Sequence, residues 1–124
     1  MAYETFERRS VRVESPMLSI LGDGRITLNA AATRLFQGAA IKTVRILWDK
    51  NRCGIALQEV SKGDKNSYTL SFSRGRSASI SPKAFLSYIG WTSTKRQTVP
   101  AKWEPRKKML EAELPSKFVR NNGM

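Results

Sequence analysis

Apolar residues along this chain recur at two spacings, and each change of spacing marks a new element. From Met17 to Leu21, and again from Arg25 to Leu28, the pattern is extended, with Ile26 and Leu28 on one side. Gly22-Asp23-Gly24 between them is a strong turn signal. Asn29 precedes Ala30-Ala31-Ala32, and its side-chain oxygen suits it to accept from the unpaired N–H groups of a first helical turn. A short helix is predicted from Ala30 to Gln37, stopped by Gly38. Strict alternation follows, with Val44, Ile46 and Trp48 on one face of a strand. Lys50-Asn51-Arg52 makes a turn, and Ile55 and Leu57 lie on the return strand.

The same order is then written again. Tyr68, Leu70 and Phe72 alternate, Arg74-Gly75-Arg76 stands where the first Gly turn stood, and a strand ends at Ile80. Ser81 is expected to cap a second helix, with Pro82 at the first helical position, where its missing N–H costs nothing. Ala32 aligns with Ala84, Phe36 with Tyr88 and Gly38 with Gly90, each at an offset of 52 (84−32, 88−36, 90−38). Val99, Ala101 and Trp103 align with Val44, Ile46 and Trp48 at an offset of 55 (99−44, 101−46, 103−48), so three residues are inserted after the second helix. Each Trp is followed by an acid, Asp49 or Glu104, and the second turn is Pro105-Arg106-Lys107. Leu110 and Ala112 match Ile55 and Leu57.

The pattern predicts one α+β, strand-rich domain over residues 1–124, made of two β-α-β-β halves at 11–60 and 68–114, each with one short helix. A polar linker at 61–67 joins them. Residues 1–10 read as a flexible arm, Ser10 to Glu14 as a strand broken at Ser15-Pro16, and 115–124 as a flexible tail. The plainer alternative is two unrelated β-α-β-β units.

Charge adds the next constraint. Twenty-two Lys and Arg stand against 10 Asp and Glu, a net charge of +12. Residues 1–60 hold 9 basic and 6 acidic groups (net +3), and residues 61–124 hold 13 and 4 (net +9). Such an excess is the footprint of a nucleic-acid binder; solubility or an acidic protein partner are the bland readings. The single Cys53 excludes an internal disulfide, and without His no Cys/His cluster is available for zinc. No apolar run approaches a membrane span, and MAYETFERRS lacks a signal-peptide core, so a cytoplasmic setting is expected.

Catalysis is not expected. The chain has no His, its Ser residues have no evident base, and no phosphate-cradling GxxxxGK[ST] run is present. Glu111 and Glu113 share a strand face, but the scattered acids do not suggest a metal-dependent nuclease. No cofactor, metal or small-molecule substrate is expected. The candidate contacts are cations at the Gly turns. A Gly turn lets backbone approach phosphate, and Arg offers a planar fork for phosphate or for guanine. This singles out Arg25, Arg74 and Arg76, with Ser73, Ser77 and Ser79 as short donors. Arg12, Arg34 and Lys83 are added for position only. Lys95-Arg96 and Arg106-Lys107-Lys108 are basic runs that could touch a nucleic-acid backbone, although such runs are usually solvated, charged turns. Trp48 and Trp103 read as core anchors, and Trp91 lies outside the pattern.

The segments LGDGR (21–25), ITLN (26–29), AAATRLFQG (30–38) and VRILWDKNRCGIAL (44–57) together resemble the AbrB-type swapped-hairpin domain, found also in MraZ and MazE-like proteins. SRGR (73–76), SISP (79–82), KAFLSYIG (83–90) and VPAKWEPRKKMLEA (99–112) fill the same slots a second time. Pro82 keeps the family's helix-starting Pro, whereas Ala30 does not. The resemblance implies a small pseudo-two-fold β-barrel of two interleaved halves from one chain. It also implies double-stranded DNA binding by a transcription-regulator-like module through Arg25, Arg74 and Arg76, with nucleoid association and self-association allowed. A protein-interaction module of antitoxin-like or phage-encoded type, binding an acidic partner, is one alternative. An RNA or single-strand binder is another.

Overall fold

In the computed structural model the described residues are Tyr3, 15–73 and 77–120. Arg12, Arg74, Arg76 and the strand expected at Ser10 to Glu14 lie outside them. The elements run β1 (Met17–Ile20), β2 (Ile26–Leu28), α1 (Ala30–Gly38), β3 (Thr43–Asp49), β4 (Gly54–Glu59), β5 (Tyr68–Thr69), β6 (Ser71–Ser73), β7 (Ser77–Ile80), α2 (Lys83–Ile89), β8 (Gln97–Glu104) and β9 (Met109–Glu113). A short 3-10 turn at Ser116–Phe118 follows.

The strands form one antiparallel sheet in the order β5-β3-β4-β9-β8-β1-β2-β7-β6. The two edge strands are separated in sequence by Leu70 alone, whose N–H bonds the Lys42 carbonyl at 2.8 Å. One run of chain, Tyr68–Ser73, therefore pairs with β3 at one end and β7 at the other. The result is a nearly closed nine-stranded barrel with two helices. Closure removes the exposed edges on which an open sheet would recruit other chains.

The inward faces follow the alternation. Leu18, Ile20, Ile26, Leu28, Val44, Ile55, Leu57, Ile80 and Leu110 are all buried. Trp103 meets Phe36 of α1 edge-on at 5.3 Å, and Trp48 meets Phe85 of α2 at 5.6 Å. Such T-shaped pairs contribute about 0.5–1.5 kcal/mol beyond area burial. The acid after each of these two Trp residues has a local task. Asp49 accepts from the Asn51 N–H at 3.0 Å and Glu104 from the Arg106 N–H at 2.8 Å, each holding its hairpin turn.

Asn29 caps α1 as expected, its Oδ1 accepting from the Ala32 N–H at 3.0 Å. The same oxygen accepts from the Met17 N–H at 3.0 Å, and its Nδ2 donates to the Ser15 carbonyl at 2.9 Å. One side chain thus fixes both the start of the helix and the start of β1.

The second helix departs from expectation. It begins at Lys83, with Pro82 as a cap that makes no side-chain bond, so Ser81 does not cap it. Its inward residues are Leu86 and Ile89, leaving Tyr88 71% exposed where Phe36 is fully buried. By burial Phe36 corresponds to Ile89, an offset of 53 (89−36), because the helix starts one residue later. The stops also differ. Gly90 closes α2 in the left-handed region, but Gly38 is the last residue of α1, and the positive φ that follows falls on Ala40.

The flexible tail expected from residue 115 does not describe Ser116–Arg120. Val119 is buried and bridges Trp91, Thr92 N–H bonds the Phe118 carbonyl at 2.9 Å, and Arg120 N–H bonds the Gly90 carbonyl at 3.2 Å. The apolar pair Phe118-Val119 supplies the reason, with the Phe118 ring 5.4 Å from Trp91. No helix among the described residues is long and apolar enough to cross a membrane.

Asn29→Ala removes both a cap, worth about 1 kcal/mol, and the Met17 bond, worth a further kcal/mol or so. We expect urea unfolding to show a loss of about 2 kcal/mol with an unchanged m value. A loss under about 0.5 kcal/mol would rule out this double role.

Candidate nucleic-acid interface

Because Leu18, Ile26, Ala78 and Val99 point inward, their strand neighbours point out. The register aligns those neighbours. Thr98 pairs with Ser19, Ser19 with Thr27, Thr27 with Ser79, and Ser79 with Ser71. A row of five small hydroxyl residues therefore crosses five adjacent strands of the outer wall, although Ser19 within it is only 6% exposed, which leaves Thr98, Thr27, Ser79 and Ser71 as its accessible members. At inter-strand spacings of nearly 4.8 Å it is about 19 Å long. Ser19 and Thr98 are bonded to each other, Oγ to Oγ1, at 2.7 Å. Ser73 and Ser77 form a further hydroxyl pair beside the row.

Three cations lie along one side of the row. Ile20 pairs with both Ile26 and Gln97, so Arg25 and Arg96 flank Leu21 on either side. They stand two strand spacings, about 10 Å, apart. Both line an open groove of 570 Å3 whose floor includes Ser19, Thr27 and Thr98. The Gly turn explains how Lys83 joins them. Gly24 has φ +94, and a Cβ there would lie 2.8 Å from Lys83 Cγ, so the Lys83 stem lies across the turn. A Cβ on Gly22 would run into the Thr94 carbonyl oxygen, so the loop that carries Arg96 also packs directly on the turn. Both glycines are explained by this close packing, with no call on an approaching phosphate.

Arg25 is held by its neighbour Asp23. Its Nε donates to Oδ2 at 3.0 Å and its backbone N–H to Oδ1 at 3.2 Å. Asp23 thereby takes one of five guanidinium N–H donors. Desolvation pushes the Asp23 carboxyl up. The Arg25 backbone bond, the guanidinium bond and the guanidinium charge outweigh it and hold the carboxyl below its ordinary 3.8.

Of the residues singled out from sequence, Arg25 and Lys83 are brought together, while Arg34 is not. Arg34 is exposed on α1, which leaves from the opposite end of β2. Arg12, Arg74 and Arg76 lie outside the described residues. Ser77 lines the groove, and Ser79 belongs to the row. Arg96 stood out only as part of the Lys95-Arg96 basic run, and the hydroxyls of Ser19, Thr27, Ser71 and Thr98 were not singled out. Their signal was Ser or Thr at the outward positions of an alternating pattern.

A second groove, of 600 Å3, lies on the outer face of β3, β4, β9 and β8. Leu47, Ala56 and Met109 give it apolar character, and Asp49, Glu111 and Glu113 give it acids. Arg52 pairs with Asp49 there at 3.1 Å. Among the described residues no group of three or more His, Cys, Asp or Glu is placed to hold a metal ion. No family model, curated protein or solved structure matches this chain.

The Asp23 clamp has a pH signature. A depressed carboxyl contributes above its unfolded pKa and loses that contribution as pH falls through the folded value. In an NMR titration Asp23 should have its midpoint below 3.8, and Arg25→Ala should move it back up. An unmoved midpoint in the variant would show that Arg25 does not hold Asp23.

Proposed function

We propose that this chain binds nucleic acid, and duplex DNA by preference, through the outer face of β8, β1, β2, β7 and β6, without catalysis. The observation that carries this reading is the row of hydroxyls flanked along one side by Arg25 and Arg96, with the Lys83 stem across the adjoining Gly turn. Hydroxyls and guanidinium groups are the usual donors to phosphate and sugar. The row holds no aromatic ring on which an unpaired base would stack, which favours a duplex over a single strand. The +12 net charge supplies the long-range attraction.

The strand pairing supports the finer reading of two interleaved AbrB-type halves. Each half gives its first strand to the other half's third: β1 pairs β8, and β5 pairs β3. The Ile26–Ile80 and Leu28–Ala78 pairs exchange under the 52 offset (26+52=78, 28+52=80). The Ile55–Ala112 and Leu57–Leu110 pairs exchange under the 55 offset (55+55=110, 57+55=112). On this reading the protein is a small transcription-regulator-like module in which one chain plays the part of a dimer.

The test is fluorescence anisotropy with a random-sequence duplex across a salt series. Neutralising about 5 phosphates gives a slope of log K on log[salt] of about −4.5. Arg25→Ala, Arg96→Ala and Lys83→Ala should each make the slope shallower by about 1. Absence of binding at low salt, or equal binding to an acidic polypeptide of matched charge density, would replace this reading with a protein-partner one.

A further inference from the structure

Arg96 sits on a loop, and what orders that loop is not the binding face itself. The segment between α2 and β8 is where the second half carries its inserted residues. Ser93 organises its middle: its Oγ donates to the Lys95 carbonyl at 3.0 Å and accepts from the Lys95 N–H at 3.2 Å and from Gln97 Nε2 at 3.0 Å. The loop's first residue is tied elsewhere. Thr92 donates to the Phe118 carbonyl through its N–H at 2.9 Å and through its hydroxyl at 3.3 Å. The Arg120 N–H closes the strap on Gly90.

We infer that Ser116–Arg120 is a positioning strap, whose docking on Trp91 and Thr92 holds Arg96 beside Arg25 and so governs affinity for the polyanion. This rests on the reading that the face binds nucleic acid. Three observations carry it. The strap bonds the loop two residues before Thr94, whose carbonyl packs on Gly22, and Gly22 belongs to the turn that carries Arg25. Strap, loop and turn are thus one contiguous stack. The docking is narrow, made by Val119 burial and the Phe118–Trp91 ring contact. The seam also contains the buried Trp91 Nε1, which has no hydrogen-bond partner among the described residues. A buried N–H without an acceptor opposes docking. The shorter connection from α1 to β3 in the first half makes its turn within residues 39–42, with Ala39, Ala40 and Ile41 N–H groups bonded back to α1.

The test uses the full chain with Phe118→Ala/Val119→Ser, which undocks the strap but keeps every charge. Hydrogen exchange should accelerate more than tenfold at Thr92 and Lys95, with Leu57 unchanged. Affinity for the random duplex should fall about fivefold to tenfold. Arg96→Ala should then add less than twofold in the undocked background, although it costs its full effect in the parent. Multiplicative losses, or parent-like affinity with a frayed loop, would overturn the strap. If the double variant does not fold, Val119→Ala alone is read by the same exchange and coupling. Should the parent bind no duplex, the functional reading falls and the strap's role in affinity falls with it; exchange then decides only whether Ser116–Arg120 orders the loop, accelerated exchange upholding that part and unchanged exchange refuting it.

Discussion

The register of β1 against β2 and β8 is the constraint on which the rest of the molecule depends. Side chains alternate along a strand, so a slip of one residue would exchange Leu18 and Ile20 for Ser19 on the core side. Each of those apolar side chains contributes about 1.5–3 kcal/mol when buried, and none is recovered by a slipped pairing. Asn29 reinforces the same choice by bonding Met17 and Ser15 while it caps α1. The hydroxyl row is therefore a by-product of core burial. Once Leu18, Ile26, Ala78 and Val99 face inward, Ser19, Thr27, Ser79 and Thr98 have no other place to go.

The cations reach that row by a different route. Their backbone positions follow from strand pairing, but their gathering depends on two close approaches that only glycine permits. Gly22 admits the Thr94 carbonyl, and Gly24 admits the Lys83 stem. A side chain at either position would push a cation-bearing element away from the turn. Asp23 then fixes Arg25 in place at the cost of partly offsetting its charge. An exposed pair of this kind adds little stability, so its main consequence is the orientation of the guanidinium.

Local devices were legible in the sequence, and pairwise ones were not. The Asn29 cap, the inward Val44-Ile46-Trp48 stripe and the turn after Asp49 each depend on a few neighbouring residues, and each stands as expected. The phase of α2 was misjudged because Ser81-Pro82 offers two starting points one residue apart, and one residue rotates a helix by 100°. The strap was missed because Phe118-Val119 is short, and its partner Trp91 lies far off along the chain. The placing of Arg96 beside Arg25, and the row that joins Ser79 to four other hydroxyls, were missed for the same reason. Thr98 and Ser19 are 79 residues apart, and no local pattern announces their contact. Three of the predicted arginines, Arg12, Arg74 and Arg76, fall outside the described residues.

Net charge alone does not orient a polyanion on this barrel, because charge of both signs is distributed around its wall. The face of β3, β4, β9 and β8 presents Asp49, Glu111 and Glu113 around Leu47, Ala56 and Met109. Arg52 pairs with Asp49 there and Lys102 stands across from Glu111, so the cations that line this face are matched by carboxylates and offer a duplex no excess of positive charge. On the hydroxyl face the acid beside the cations among the described residues is Asp23, already engaged by Arg25. The hydroxyls between the strands are neutral, short and able to donate. On the proposed reading, phosphates would approach the sheet across them while Arg25, Arg96 and Lys83 supply attraction along one side of the row. On that reading the cations along one side of the row, and not the hydroxyls, would set how a duplex lies on the face.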